Sequence, residues 1–547
     1  MNYNQKVYAS SIVNRTEVAV NFTWAPWIVF LAAVLLQILA FDPLIGIYDE
    51  GLIVTGAELI SSGKLPYRDF WTMYGPAQFY LTSWGFDVFG HADLVVRAIG
   101  IVSKALIVSV SYSLVALLSP RVHAAIAAAV ILFLLIAARQ DAFPVFPAVA
   151  FSLLSILWVV KGFNRNGKYL FFAGLSTAVV IAFRHDLGAY NALAVVVSLF
   201  VANLSVTNSS IYLTVKKTFI QSSCYGAGIV LILVPILSAL LYFVPLYDLN
   251  ENLIQIPSKI YPHVRSLPFP TLDDFLISKQ ISIYVVYAPF VALLWAFAAE
   301  IHSRASRSSV VAAIWVPLVI ITCALFIIKG LVRTQFLHMV QSLVFVVVLI
   351  AFYVGKIRLS SGVAKLVLVP GLLVLLLLMG SQIRQGGKEI VQGVKDIVKG
   401  RSVVLGNCFS PPLPSLRCIG VDENYLKAAK YVIEHTEPND KIYVGVAQHR
   451  KLFLNAVSFY FMVGRQPVTK WYDLHPGVQT QERIQRLMIS EMEGAPPKLI
   501  VLDDQWDQIM EPNDSRFATG SGLLDSYIRD KYKPIQRFGT IELWALR

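Results

Sequence analysis

Eleven apolar runs constrain this chain more than any other feature of its sequence. Runs of about 17–25 apolar residues are long enough to cross a bilayer as helices. The eleven candidates, several of them short, are residues 25–47, 94–119, 122–138, 142–160, 169–183, 187–203, 219–246, 281–300, 309–328, 338–355 and 364–381. The first run is too long for a cleavable signal peptide, and no small-residue cleavage site follows it. The sequence therefore predicts an α-helical polytopic membrane protein with about eleven transmembrane helices.

The distribution of charged residues divides the chain into two parts. Asp, Glu, Lys and Arg supply 39 of residues 1–382 but 41 of the 165 residues in 383–547. The first proportion is typical of a membrane domain and the second of a soluble one. The net charge is +12, but the basic residues form no continuous patch in the sequence. This pattern argues against nucleic acid as a partner and favours membrane lipids and bound anions. We predict a transmembrane domain at 1–382 and a soluble α/β domain at 383–547.

Lys and Arg also indicate the orientation, because they collect in cytoplasmic loops. With a cytoplasmic N-terminus, the inner loops hold the following basic residues and few acids: Lys6, Arg15, Arg121, Lys161, Arg165, Lys168, Lys216, Lys217, Arg304, Arg307, Lys356, Arg358 and Lys365. The outer loops are then 48–93, 139–141, 184–186, 247–280 and 329–338. An odd number of helices places the C-terminal domain outside. We expect a multi-pass protein of the cell (inner) membrane. Cys408 and Cys418 fit that compartment by closing a disulfide, with two free thiols as the alternative.

The first outer loop carries the strongest functional signal. Asp49 and Glu50 directly follow the first apolar run, and a carboxylate at the membrane boundary usually has a function or a partner because holding it there costs free energy. Such a group can accept a proton from a hydroxyl or an amine. We therefore take both acids as candidate catalytic residues of a loop that roofs an outer cavity. Their alternative role is to cap the N-terminus of the next helix.

Basic residues near the outer ends of the predicted helices are candidates for holding a phosphate. The candidate substrate-binding residues are Arg68, Arg97, Lys104, Arg184, Asp186, Arg265, Arg333 and His338, with Lys329 beside the last two. Arg97 and Lys104 lie seven residues apart and therefore on one helical face.

Each of these candidates also has a structural interpretation. Arg97 can extend to the membrane interface, and Lys104 can pair with a buried acid such as Asp42 or Asp141. Arg184 and Asp186 can form an ion pair at a tight turn. The remaining basic residues can be ordinary members of shaped outer loops.

Three motifs carry a resemblance to a known superfamily. YDEG at 48–51, GKLPYRDFWTMYGPAQFYL at 63–81 and VVR at 95–97 resemble the first outer loop of the GT-C superfamily. Its members are polytopic glycosyltransferases that use polyprenyl-phosphate sugars. FRHDLG and YPHVRSLPFP also resemble segments of such proteins. The most similar branch comprises bacterial relatives of protein O-mannosyltransferases and of lipid A aminoarabinose transferases.

The resemblance implies roles for several residues. An acidic residue of the first outer loop acts as base on the acceptor or orients it, a role that maps onto Asp49 with Glu50 beside it. Basic residues at the outer helix ends hold the donor phosphate, which implicates Arg184 and Arg265 by position and Lys104 by chemistry. The sequence lacks a convincing second acidic motif like that of metal-dependent members, so we predict no metal and no cofactor.

The last 165 residues alternate helical and strand patterns, which suggests a small α/β layer. Helices are predicted at YLKAAKYVIEHTEP, NAVSFYFMVGR, TQERIQRLMISEME and LLDSYIRDKYK, and strands at KIYVGVA, KLIVLDD and TIELWALR. Asp503 and Asp504 follow a strand end, where ligand sites of α/β sheets lie. No Gly-rich phosphate motif accompanies them, which favours an acceptor-recognition or structural domain over a second catalytic centre.

Together these features predict a glycosyltransferase that moves a sugar from a polyprenyl-phosphate donor to an extracytoplasmic lipid, glycan or protein acceptor. One alternative is a secondary transporter that uses Asp49, Lys104 and Asp141 as a proton or ion relay. Transporters usually contain internal repeats, and the sequence shows no corresponding halves. A second alternative is a non-catalytic membrane protein of envelope assembly.

Overall fold

A computed structural model describes most of the chain. The described residues are 24–139, 143–163, 167–206, 210–271, 273–274, 276, 281–303, 309–354, 362, 364–400 and 403–547. Of the residues named above, the following lie outside these ranges: Lys6, Arg15, Asp141, Arg165, Arg304, Arg307, Lys356 and Arg358.

Long apolar helices form the first part of the chain. Among the described residues, nine are long and apolar enough to cross a membrane: Asp93–Ala116, Arg121–Ala138, Val145–Gly162, His185–Val206, Ile211–Phe243, Ser282–His302, Val311–Gly330, Phe336–Val354 and Ala364–Val398. Ala25–Leu39 and Gly167–Phe183 are apolar but shorter. Every predicted run thus corresponds to a helix, which confirms the polytopic α-helical class. Eleven membrane crossings stay a prediction, because two of the helices are short.

The first predicted outer loop contains two further helices, Asp49–Ser61 and Ala77–Phe89. The acids in the first turn of Asp49–Ser61 suit the positive end of its dipole, and Gly63 with a φ of +82° follows its end. Between the two helices, Gly75 lies so close to the carbonyl oxygens of Ala182 and Phe183 that a Cβ there would overlap them. The loop therefore folds back onto the helical bundle.

The connection before the predicted eighth run also contains short helices. They are Leu246–Asn250, the π-helical Glu251–Ile260, and Tyr261–Arg265.

A five-stranded mixed sheet organises the C-terminal part. Its strands are β1 (Lys441–Val446), β2 (Gln466–Pro467), β3 (Leu499–Asp503), β4 (Tyr532–Phe538) and β5 (Ile541–Leu546), in the order β2-β1-β3-β5-β4. β1 runs parallel to β2 and β3, and β5 runs antiparallel to β3 and β4. β1 is buried after its first residue and β3 throughout, as expected for strands with both faces covered.

Helices cover both faces of this sheet. Glu423–His435 and Ser458–Val463 pack on one face, and Glu482–Gly494 and Leu523–Lys531 pack on the other. The short helix Val403–Phe409 precedes them. The α/β prediction is confirmed, including the stop of the second predicted helix at Gly464, which has a φ of +62°. A disulfide joins Cys408 to Cys418. The change in composition at 382–383 falls within the continuous helix Val369–Val398.

The C-terminal domain packs directly on the first-loop helix Asp49–Ser61. The Ser458 N–H donates to the Ile47 carbonyl at 3.0 Å, and the Thr55 hydroxyl donates to the Val457 carbonyl at 3.0 Å. Leu52 also shares a hydrophobic cluster with residues of the domain. This packing buries most of the helix, so its N-terminal acids lie at a junction of two domains.

We predict that Gly51→Ala loosens this junction. A Cβ at Gly51 would overlap the backbone nitrogen of Ser458, and overpacking of this kind costs about 1–3 kcal/mol. Thermal unfolding in detergent should show a lower midpoint, and limited proteolysis should release the C-terminal domain faster. Gly226→Ala is the matched control, because nothing lies within 4 Å of its added Cβ. Equal stability of the two variants would contradict the prediction.

Candidate functional site

Asp49 begins the helix Asp49–Ser61 and is half-buried. The preceding residue, Tyr48, donates a hydrogen bond from its hydroxyl to Asp473 Oδ1 at 2.9 Å. Asp473 lies in the C-terminal domain and interacts electrostatically with Asp49. The first-loop acid therefore faces a second carboxylate, supplied from more than 400 residues along the chain.

Glu50 points to a different partner. Its carboxylate forms a buried ion pair with Arg97, which donates to it from both Nε and Nη2, and it also accepts a hydrogen bond from Gly46 N at 2.7 Å. Arg97 donates further to the carbonyls of Asp42 at 2.8 Å and Leu44 at 2.6 Å. These contacts fasten the segment before Asp49 to the helix Asp93–Ala116. They fit a positioning role for Glu50 and Arg97.

Arg184 and Asp186 form an ion pair, which is the structural role that the sequence offered as an alternative to substrate binding. The Nε of Arg184 donates to Asp186 Oδ1 at 2.8 Å, and Nη2 donates to Oδ2. Asp186 also accepts a hydrogen bond from Leu187 N at 2.9 Å. The pair is not isolated, because Asp186 interacts electrostatically with Lys329 as well.

Arg265 and Arg333 meet at a carboxylate of the C-terminal domain. Nη1 of Arg333 donates to both oxygens of Glu511, at 2.9 and 2.8 Å, and Nη1 of Arg265 lies 3.3 Å from Glu511 Oε2. All three side chains are buried. Burial raises the pKa of Glu511, but the hydrogen bonds from Arg333 and the charge of Arg265 outweigh it, so the pKa lies below its ordinary value. Glu511 is therefore ionised. Its negative charge offsets only one of the two arginine charges, so one positive charge remains in excess.

Lys329 and His338 complete the basic group. The Nζ of Lys329 lies 5.2 Å from the ring centroid of Tyr261 and interacts electrostatically with Arg184 and Arg333. His338 interacts electrostatically with four cations, Arg333, Lys329, Arg265 and Arg184. We call the set Arg184, Arg265, Lys329 and Arg333 the cationic cluster.

Two tyrosines connect the cationic cluster with the carboxylates. Tyr74, from the YGP motif of the first loop, interacts electrostatically with Asp49, Asp473, Tyr261 and Arg184. Tyr261 interacts electrostatically with Arg333, Arg265, Asp49 and Glu511. Burial raises the pKa of both tyrosines, so their hydroxyls stay protonated as hydrogen-bond donors. The first-loop acid Asp49 and cations from three distant segments thus act on the same two tyrosines.

Two predicted residues lie apart from this group. Arg68 pairs with its neighbour Asp69 at 2.7 Å on a partly exposed surface. Lys104 is buried in the helix Asp93–Ala116, and its Nζ lies 4.8 Å from the centroid of the Phe146 ring. Lys104 lines a small cavity together with Asp42 and Arg139. The substrate-binding role of Arg68 and Lys104 stays a prediction.

Sequence reasoning missed the contribution of the C-terminal domain. Asp473 and His475 belong to the run KWYDLHP at 470–476, which brings two aromatic residues, an acid and a histidine together within seven positions. This concentration was the available signal. Burial raises the pKa of Asp473 to about 7, and Asp49 adds to the rise, while Tyr48 and Arg265 oppose it. Burial, with the charge of Arg265, lowers the pKa of His475 to about 3, which keeps its ring neutral.

The two acids predicted to follow a strand end have local partners; Asp503 is in fact the last residue of β3, and only Asp504 follows it. Asp503 accepts hydrogen bonds from the hydroxyl of Tyr425 and from the backbone of Gln505, and Asp504 pairs with Arg537. Across the described part of the chain, no group of three or more His, Cys, Asp and Glu side chains is arranged to hold a metal ion. The expectation of a metal-free enzyme stays a prediction.

Comparison with solved structures gives near-complete matches. The chain is similar to ArnT from Cupriavidus metallidurans bound to undecaprenyl phosphate, with a TM-score of 0.56 and 14% identity over 96% of this chain and 98% of that one. The apo state of ArnT gives a TM-score of 0.54 and 14% identity, over 95% and 98% of the two chains. No protein-family model and no curated protein sequence matches the chain.

A third similar structure comes from an archaeon. It is the Archaeoglobus fulgidus oligosaccharyltransferase tethered to an acceptor peptide that contains the NVT sequon, with a TM-score of 0.51 and 12% identity over 96% of this chain and 74% of that one. ArnT is an aminoarabinose transferase, and both proteins are GT-C glycosyltransferases. The chain has the GT-C fold, as the first-loop motifs predicted.

The pKa of Asp473 leads to a prediction about stability. Because about 7 exceeds the ordinary value of about 3.9, the native state holds this proton more tightly than the unfolded chain. The stability that Asp473 contributes is therefore complete below about pH 4 and is lost as the pH rises through about 7. Asp473→Asn keeps an acceptor for Tyr48 but cannot titrate. Between pH 5 and 8, its thermal midpoint should fall less steeply than that of the unaltered protein. Parallel curves would refute this assignment.

Proposed function

We propose that the protein is a membrane glycosyltransferase that transfers a sugar from a polyprenyl-phosphate-linked donor to an extracytoplasmic acceptor, with Asp49 as the base. The observation that carries the proposal is the junction at Tyr74 and Tyr261, which both interact electrostatically with Asp49 and, between them, with cations of three separate outer segments. An acid alone can take a proton, and a basic cluster alone can hold an anion. Transfer from a lipid phosphate needs both at one place.

The chemistry follows from these two groups. Asp49 accepts the proton of an acceptor hydroxyl or amine as that atom attacks the anomeric carbon of the sugar. The bond from the anomeric carbon to the phosphate oxygen breaks, and its electron pair leaves with the polyprenyl phosphate. The leaving phosphate thereby gains a negative charge, which the cationic cluster stabilises. The excess positive charge beside Glu511 is available for that anion.

The related folds support the donor class. The ArnT structure contains undecaprenyl phosphate, an anionic polyprenyl lipid of the kind proposed for this site. The acceptor peptide in the archaeal structure shows that the fold also accepts polypeptide, so the fold leaves lipid, glycan and protein open as acceptors. The junction lies where the C-terminal domain meets the helix ends, and the Lys and Arg distribution predicts that this end lies outside the cytoplasm. The acidic and basic groups of the site lie together at one end of the membrane domain, which favours a transferase over an ion relay through the membrane.

We predict that Asp49→Asn abolishes sugar transfer while the protein stays folded, because the amide cannot accept the proton. Mass spectrometry of envelope glycans should compare cells that carry the intact chain, the variant or neither chain. The glycan that depends on the intact chain identifies sugar and acceptor together, and it should be absent with Asp49→Asn. Asp87→Asn is the matched control, since Asp87 is an exposed acid of the same loop. A normal glycan profile in the Asp49 variant would remove Asp49 from the mechanism.

We predict that Arg265→Ala weakens binding of undecaprenyl phosphate by about 10- to 100-fold. A hydrogen bond to a charged group contributes about 1.5–3 kcal/mol, and each 1.4 kcal/mol is tenfold in affinity. Native mass spectrometry of the detergent-solubilised chain measures the affinity. Arg529→Ala, at an exposed position of the helix Leu523–Lys531, provides the control. Equal affinities of the two variants would exclude Arg265 from the phosphate site.

A further inference from the structure

A cavity of about 670 Å³ opens in the C-terminal domain beside the cationic cluster. Its walls are the loop at 450–452, the loop at 476–482 and the segment 514–521, together with Val264 from the membrane domain. The volume lies within the range of about 300–1,000 Å³ that is typical of ligand sites. None of the cavity-lining residues is used by the proposed transfer step.

The cavity and the catalytic site share a wall. Val264 lines the cavity and the next residue, Arg265, belongs to the cationic cluster. Leu452 lines it and the next residue, Phe453, has its ring centroid 4.8 Å from Cζ of Arg265. Pro476 lines it directly after His475. A molecule in the cavity is therefore separated from the catalytic site by single side chains.

Backbone contacts hold this wall and the outer rim in place. The Gly520 N–H donates to the Arg450 carbonyl at 3.0 Å, and the Ser521 N–H donates to the Thr480 carbonyl at 2.8 Å. Gly477, with a φ of +78°, packs closely against Val264. The three loops are thus joined to one another and to the membrane domain, so the cavity is formed before a ligand arrives.

The chemistry of the lining selects the class of ligand. Two basic residues, Arg450 and Lys451, balance two acidic ones, Glu482 and Asp514, so the formal charges cancel and a polyanion gains nothing. Two threonine and two serine residues add hydroxyl groups to the lining. Phe517 is 49% exposed, and Cζ of Arg516 lies 4.7 Å from the centroid of its ring. Paired charges, hydroxyls and one aromatic ring suit an uncharged, polyhydroxylated ligand.

We propose that this cavity binds the glycan part of the acceptor and holds it next to the catalytic site, beside the wall formed by Arg265, Phe453 and His475. The inference rests on the proposed function for the acceptor's role, and it narrows the acceptor to a carbohydrate-bearing molecule. The sugar rings stack on Phe517 and donate hydrogen bonds to Asp514 and Glu482. A polypeptide finds fewer apolar anchors here, because Val264, Leu452, Pro476 and Phe517 are the apolar side chains of the lining.

Binding of printed bacterial-envelope oligosaccharides to the fluorescently labelled full-length protein in detergent tests the proposal. We expect at least one uncharged oligosaccharide to bind. Phe517→Ala, which removes the ring, and Thr519→Trp, which fills the cavity, should each weaken its binding at least tenfold. Met510→Ala is the matched control, because Met510 is a 70% exposed residue that precedes the segment 514–521 and does not line the cavity.

The outcomes separate this inference from the proposed function. If no oligosaccharide binds, if binding is indifferent to both cavity variants, or if only an arrayed peptide binds, the cavity is not a glycan site, and this holds whatever Asp49→Asn does to transfer. Conversely, cavity-dependent binding combined with normal transfer by Asp49→Asn would leave the glycan site standing and overturn the catalytic proposal alone.

Discussion

The buried carboxylate of Glu511 joins the C-terminal domain to the membrane domain at the candidate site. Two arginines from outer segments of the membrane domain lie against it, and all three groups are buried. An unpaired buried charge costs several kcal/mol, whereas a paired one approximately recovers that cost. Glu511 therefore offsets part of the free-energy cost of burying the charges of Arg265 and Arg333 under the C-terminal domain. Docking of the domain and assembly of the cationic cluster are the same event.

A second buried ion pair performs the corresponding task for the acid. Glu50 and Arg97 fix the segment that leads to Asp49, and Arg97 spends its remaining donors on the carbonyls of Asp42 and Leu44. Breaking such a pair costs about 3–5 kcal/mol. The DE pair of the sequence is thus divided between two functions. Glu50 faces inward and anchors the helix, and Asp49 at its first residue is left at the junction with Tyr74 and Asp473.

The sequence was informative wherever a local pattern determined the structure. Apolar length located the helices, and the first-loop motifs identified the fold. The position of Arg184, Arg265 and Arg333 next to apolar runs identified them as candidates for holding a phosphate, a role that stays a prediction. Strand β4 was missed because it is an exposed edge strand that contains Pro534, so it lacks the buried alternation of a predicted strand. Its neighbour β5 was predicted because its buried and partly buried residues alternate at the start.

Contacts between distant segments were beyond such reasoning. Nothing near Asp473 in the sequence indicates that it meets Tyr48, 425 residues away, because only docking of the domain brings them together. For the same reason the sequence did not indicate that Arg97 pairs with Glu50. Its position on one face of the helix with Lys104 predicted a phosphate ligand instead. Helical position shows which residues share a face, while the choice of partner depends on the tertiary packing.

The division of the site between two domains has a consequence for how two substrates meet. Arg184 and Lys329 come from the ends of membrane helices, where a lipid-linked phosphate arrives, whereas Phe453, Asp473 and His475 come from the domain that contains the polar cavity. Under the proposed function, donor and acceptor therefore approach from opposite sides of Arg265 and Tyr261. Near pH 7 a neutral His475 and an Asp473 that is about half protonated lower the charge that the C-terminal domain brings to the site. The positive charge is thus concentrated on the side where the phosphate leaves, and the electrostatic difference across the site matches the direction of transfer.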